Sequence, residues 1–156
     1  MKKIDAEIIS FLEKQGFVIV STMDEQKRIH CSAKGISIIK PEGEIYLVDL
    51  YLRNTFNNLT KNSIISVNAF DEYVFAGYTL QGKAEVIKKK LMPEDVIEYW
   101  ENKVIKMISS RVIKNMKEEK IARHLDVHFS EPEYVIKMQV EEIIDLKPGD
   151  LKIESR

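Results

Sequence analysis

The stretch Leu50-Tyr51-Leu52-Arg53-Asn54-Thr55-Phe56-Asn57-Asn58-Leu59 gathers the side chains best suited to hold an anion. An apolar run ends, a guanidinium follows, and Asn54 and Thr55 open a short helical pattern. A cation, an amide, a hydroxyl and unpaired backbone N–H groups therefore converge, which is the donor set a phosphate group requires. Lys34, on a neighbouring extended run, adds a second cation. Plain capping of a helix by Asn54 or Thr55 explains the same pattern, so both readings stand at this point.

Other reactive residues are sparse. The chain has no G-x-G-x-x-G, P-loop, G-x-S-x-G or C-x-x-C pattern, which excludes the common dinucleotide, nucleoside-triphosphate, serine-hydrolase and zinc-ribbon readings. His30 and Cys31 are neighbours on an extended run and point to opposite faces, so they do not form a nucleophile–base pair; a buried structural cysteine is expected. His124 and His128 share a face if helical and are able to hold a metal between them, but no third ligand follows by spacing, and surface histidines are the plainer reading. Lys88-Lys89-Lys90 reads as a solvated turn. Val96, Trp100, Val104, Ile108, Val112 and Met116 form a helical ladder for core or interface packing, with a ligand wall as the sharper alternative.

Those residues must be positioned by a small fold. The 156 residues carry 24 basic and 25 acidic side chains, a net charge of −1, so no global field draws nucleic acid or an anionic membrane. One domain spanning 1–156 is expected. One cysteine excludes an internal disulfide and fits a reducing compartment. No apolar run spans a bilayer, and Met1 to Leu12, with Asp5 and Glu7, does not read as a signal peptide; a soluble, cytoplasmic protein is expected.

Helical spacing of Ile4, Ile8, Phe11 and Leu12 predicts a helix over 4–15 with Gly16 as its cap. Phe17 to Thr22 reads as a strand buried on both faces, Arg28 to Lys40 as a second, and Glu44 to Leu50 as a third after the turn Lys40-Pro41-Glu42-Gly43. Residues 54–62 read as a short helix, Ile64 to Phe70 and Tyr78 to Lys88 as strands, and Tyr134 to Leu146 as the last strand. Pro93, Glu94 and Asp95 open the longest helix, which Ser109-Ser110 is able to divide. Six strands with local connections predict a mainly β, α+β fold: a closed or partly closed antiparallel barrel, with a helical insertion at about 91–130.

The order of these pieces resembles the pyridoxamine-5′-phosphate-oxidase-like family of FMN-binding split β-barrels. Val18-Ile19-Val20-Ser21-Thr22 followed by Ile29-His30-Cys31-Ser32-Ala33-Lys34 is similar to the family's opening hairpin. Ile45 to Asp49, Arg53 to Leu59 and Asn62 to Val67 resemble its strand, phosphate turn, helix and next strand. Gly77-Tyr78-Thr79-Leu80-Gln81-Gly82-Lys83-Ala84-Glu85-Val86 resembles its G-Y-x-x-x-G-x-A-E-V strand.

The resemblance implies a flavoprotein oxidoreductase acting on a small molecule, with FMN held at a homodimer interface. It places the phosphate at Arg53, Asn54 and Thr55, within the turn that runs to Asn58, with Lys34 as helper. Ser32 and Ala33 lie beside the flavin ring, Val48 and Asp49 flank it, and Gln81 reaches it from the partner subunit. Flavin itself handles the hydride, which accounts for the missing acid–base motifs. Asn54-Thr55 stands where pyridoxamine-phosphate oxidases carry further basic residues, so pyridoxamine phosphate is not the expected substrate. The alternative is a non-catalytic module on the same barrel that holds flavin or haem as sensor or carrier; the deazaflavin F420 is a third reading.

Overall fold

In the computed structural model, the described residues are 1–49, 53–117 and 132–147, with only the helical backbone described over 107–117. The strands are β1 (Val18–Met23), β2 (Ile29–Lys40), β3 (Glu44–Asp49), β4 (Ile64–Asp71), β5 (Ala76–Lys88) and β6 (Tyr134–Asp145). All neighbours are antiparallel, and the order β1-β2-β3-β6-β5-β4 closes on itself through pairing of β1 with β4. The predicted antiparallel barrel is the observed one. Closure removes the exposed edges that an open sheet of these strands would present.

Alternation determines what enters the barrel. Ile65, Val67 and Ala69 of β4 point inward, as their spacing predicts, to meet Val18 and Val20 of β1, Ile45 and Leu47 of β3, Leu80 of β5, and Ile136 and Met138 of β6. Helix α1 (Ala6–Lys14) adds the fully buried Leu12 and sets Phe11 edge-on against Tyr78, ring centroids 5.2 Å apart. Its C-cap is Gln15 in extended conformation, so Gly16 does not supply a left-handed cap as the sequence suggests. Turning straight into an extended path lets the chain feed β1 directly.

Helix α3 (Glu94–Lys117) begins after Pro93 and runs unbroken through Ser109-Ser110. Its first turns lie on a second apolar cluster of Tyr46, Val48 and Val135, where Val96 is buried and Trp100 partly so. The helix also fixes an irregularity in β2 between Ile36 and Ile38. Ser37 Oγ donates to the Val96 carbonyl at 3.0 Å and Lys103 Nζ to the Ile36 carbonyl at 2.7 Å. Burial lowers the pKa of Lys103 from its ordinary value. Trp100 lies close enough to Gly35 that an added Cβ would sit 3.3 Å from its ring. Val96 and Trp100, the first two residues of the ladder, are therefore packing residues. No helix among the described residues is long and apolar enough to cross a membrane.

The opposite side of the barrel differs. β1 is buried on one face only: Val18, Val20 and Thr22 face inward, while Phe17 is 61% and Ile19 39% exposed. This corrects the expectation of a strand covered on both sides. The apolar run in β1 has the composition of a doubly buried strand, but α3 packs on the other half of the barrel.

The turn from β2 into β3 is held by the N-terminal segment. Lys2 N–H donates to the Val140 carbonyl at 2.7 Å, Ile4 N–H to Pro41 at 2.9 Å, and Val140 N–H to Gly43 at 2.8 Å. Gly43 has φ +111°, and a Cβ there would lie 2.3 Å from the Lys2 carbonyl oxygen. Both the backbone angle and the contact demand glycine. Gly43→Ala is expected to lower unfolding free energy by about 1–3 kcal/mol. Urea denaturation followed by circular dichroism checks this, and unchanged stability would show that the N-terminal segment does not seat on the turn.

Candidate functional site

The register of β2 against β1 sorts its residues by face. His30, Ser32 and Lys34 lie opposite Thr22, Val20 and Val18, whose side chains turn inward. Cys31 and Ala33 turn outward and are exposed. Thus the predicted separation of His30 from Cys31 holds, but the cysteine is not buried. Its outward face is the uncovered side of the barrel, where Cys31 Sγ lies 3.4 Å from Ser21 Oγ.

Helix α2 (Asn54–Leu59) meets the inward row. Arg53 is its N-cap and no side chain caps it, so capping by Asn54 or Thr55 does not occur. Thr55 is buried instead, with Oγ1 3.0 Å from Ser32 Oγ. Asn58 faces away from the cleft: buried, it donates from Nδ2 to Thr22 Oγ1 at 3.0 Å and ties the helix to β1. Ser32, Lys34, Asp49, Arg53, Asn54 and Thr55, together with His30, line a cleft of about 300 Å³. Six side chains expected from the sequence are therefore assembled. A six-residue helix contributes little field of its own, so any anion here is held by side chains.

The deepest part of the cleft is a charged row across three strands. Asp49 is buried at the end of β3, and its Oδ2 accepts from Lys34 Nζ and from Tyr134 Oη. Tyr134 is the register partner of Asp49 on β6, wholly buried, with Phe56 edge-on at 5.1 Å. Burial, then the hydrogen bond and charge of Asp49, push the Tyr134 hydroxyl far above its ordinary pKa. Tyr134 therefore remains a donor throughout the neutral range. Removing one partner from a buried ion pair strands the other without water, a loss of about 3–5 kcal/mol.

The remaining expected site residues lie elsewhere. Ala33 is exposed beside Ile19. Val48 packs in the apolar cluster under α3. Gln81 is exposed on β5 at a second cavity, of about 420 Å³, whose walls include Ser21, Ile29, Ile64 and Ser66 on the uncovered face. Residues Lys89–Leu91 form an exposed 3-10 turn, in keeping with the solvated reading of the lysine run. His124 and His128 lie outside the described residues, and among those described no group of three or more His, Cys, Asp or Glu is placed to hold a metal. Tyr134 was missed because 85 positions separate it from Asp49; the pairing of the first residue of the closing strand with the last of β3 is the signal that would have found it.

The family model described as pyridoxamine 5′-phosphate oxidase matches residues 4–144. No curated protein matches the chain. Among solved structures, HupZ of Group A Streptococcus is 16% identical, with TM-score 0.64 over 94% of this chain and 96% of that one. A Clostridium acetobutylicum protein related to general stress protein 26, of the pyridoxinephosphate oxidase family, is 17% identical, with TM-score 0.55 over 92% and 96%. An F420 reductase is 10% identical, with TM-score 0.57 over 90% and 98%. At these identities the likeness is one of fold.

Raised pKa values in the folded state make stability pH-dependent in a defined direction. Below the unfolded tyrosine value of 10.0 the contribution of Tyr134 is fully present, and it is lost as pH climbs above that value. Tyr46, raised by burial and then by Glu44, shares this behaviour. Tyr134→Phe is expected to lose about 1.5–3 kcal/mol at neutral pH, from a hydrogen bond to a charged group, and to show a shallower decline above pH 10 than the parent. Equilibrium unfolding at pH 7 to 11 checks both; parallel curves would show that Tyr134 does not donate to Asp49.

Proposed function

The chain belongs to the pyridoxamine 5′-phosphate oxidase family, and from that premise we propose that it is an FMN-binding oxidoreductase of a small-molecule substrate, working as a homodimer. The observation that carries this reading is the cleft in which the Arg53 guanidinium and the Ser32–Thr55 hydroxyl pair meet. Its donor set suits a phosphate: a planar cation able to bind two oxygens, with hydroxyls alongside. Lys34 fits the role of phosphate helper less well, since its charge is already committed to Asp49.

Bound flavin supplies hydride-transfer chemistry, so the chain has only to bind, orient and tune it. In this reading Arg53, Asn54, Thr55 and Ser32 hold the phosphate end. Asp49 and Tyr134 keep the inner wall rigid. A cleft of about 300 Å³ is at the low end of ligand sites, so one chain offers walls for part of a mononucleotide. The rest is assigned to a second copy. Phe17, Ile19, Ile29, Ile64 and Phe70 leave a broad apolar surface on the side of the barrel that carries Gln81 and its cavity, and α3 packs on the other side.

Purified protein is expected to show flavin's visible absorption or to gain it when FMN is added. Arg53→Ala should weaken FMN binding by about 1.5–3 kcal/mol, roughly 10- to 150-fold. A colourless protein with no measurable FMN affinity would refute the reading. Mass spectrometry of released ligand separates FMN from F420, which the likeness to an F420 reductase makes the second reading, and from haem. Bound flavin that NADH, NADPH and other donors fail to reduce would favour a carrier over an enzyme.

The dimer is tested separately. Ile19→Lys and Ile64→Glu each place a charge on the uncovered face, and both are expected to convert a dimer into a monomer by light scattering, with loss of FMN affinity. A parent protein that is monomeric at micromolar concentration, yet binds FMN, would overturn the shared site.

A further inference from the structure

We propose that helix α3 sets the affinity of the cleft for its ligand through a bulge in β2, with Lys103 as the positioning residue. The inference rests on the FMN reading and adds a distant part of the fold to that site.

The bulge follows from the register of β2 with β3. Gly35 and Ile36 pair with Val48 and Leu47, but the next pair is Ile38 with Tyr46, so Ser37 is an extra residue in the longer strand. An extra residue reverses the alternation of faces. Before it, Ser32, Lys34 and Ile36 turn inward; after it, Ile39 enters the core while Ile38 packs in the cluster beneath α3. A regular strand with Ile39 inside would turn Ser32 and Lys34 away from the cleft. The bulge thus lets one strand fill the core at one end and furnish the site at the other.

Helix α3 holds that bulge at three consecutive residues. Trp100 lies over Gly35, where an added Cβ would sit 3.3 Å from the ring. Lys103 Nζ donates to the Ile36 carbonyl at 2.7 Å, and the buried Ser37 Oγ donates to the Val96 carbonyl at 3.0 Å. Immediately before them stand Lys34, paired with Asp49, and Ser32, whose Oγ is 3.0 Å from Thr55 Oγ1. An apolar side chain at 103 would cover β2 without the desolvation that a partly buried amine suffers. What lysine supplies in its place is a donor to the backbone at the point where the strand changes phase.

The test compares the full-length parent with Lys103→Met, which removes the donor, and Lys103→Arg, which keeps one. FMN affinity is read by quenching of flavin fluorescence, and melting temperature is read separately. Lys103→Met is expected to bind FMN about tenfold more weakly than the parent, and Lys103→Arg within about threefold of it. A lysine with only a structural role would lower the melting temperature and leave affinity unchanged. Parent-like affinity in Lys103→Met would therefore overturn the proposal, as would equal losses in the two variants. Coupling between sites is reciprocal, so FMN should also slow amide exchange in the parent by about tenfold over Gly35 to Ile38 and Val96 to Lys103. Protection confined to the cleft segment Arg53 to Leu59 would overturn the proposal, and this measurement decides where Lys103→Met does not fold. Failure of the parent to bind FMN refutes the FMN reading and this inference together. FMN binding without coupling to α3 overturns this inference alone.

Discussion

Insertion of β6 between β3 and β5 is the constraint on which the remaining structure depends. Those two strands have no other partner on their facing sides, so without β6 the sheet keeps two open edges and its inward rows lose Ile136, Met138 and Val140. The same strand carries Tyr134 to Asp49, and Asp49 in turn holds Lys34 on β2. Barrel closure and site assembly are thus one event. Long-range pairing of this kind pays its loop-closure entropy before any contact returns it, so the site forms only when the fold is complete.

The two sides of the barrel serve different ends. Over Tyr46, Val48 and Val135 the first turns of α3 supply the apolar cover, and Ser37 and Lys103 secure β2 where its register shifts. That irregularity lies just beyond Lys34 and Gly35, so α3 steadies the strand that forms one wall of the cleft. Around Ile19 and Ile64 the surface stays apolar and exposed. The helix therefore covers one side of the barrel and leaves apolar side chains exposed on the other.

Much of this was legible in the residues. The alternation of Ile65, Val67 and Ala69 against Ser66 and Asn68 indicates a half-buried strand, and the turn ending in Gly43 indicates a hairpin; both rest on local physics. That Arg53, Thr55 and Lys34 come together was readable because their chemistry is concentrated in a short stretch and its neighbouring strand, and they do line one cleft. What the sequence concealed was relational. The exposure of Ile19 and Cys31 depends on which half of the barrel α3 packs against, and no strand's composition records that. Asn58 has the same amide whether it faces a ligand or Thr22, and only the register of α2 on β1 decides between them. The commitment of Lys34 to Asp49 follows from the register of β2 with β3, which pairs Gly35 with Val48 and so brings the middle of β2 beside the last residue of β3.

Near-zero net charge conceals a local arrangement with more content than the total. Lys34, Arg53 and Asp49 sum to one positive charge, but their depths differ: the pair is buried and Arg53 is at the mouth. A buried ion pair is poor material for stability, since its desolvation nearly cancels its attraction, and an apolar pair would serve the fold as well. What the pair does provide is definite geometry: one Asp49 oxygen accepts from both Lys34 and Tyr134, so β2, β3 and β6 are fixed against one another at the wall of the cleft.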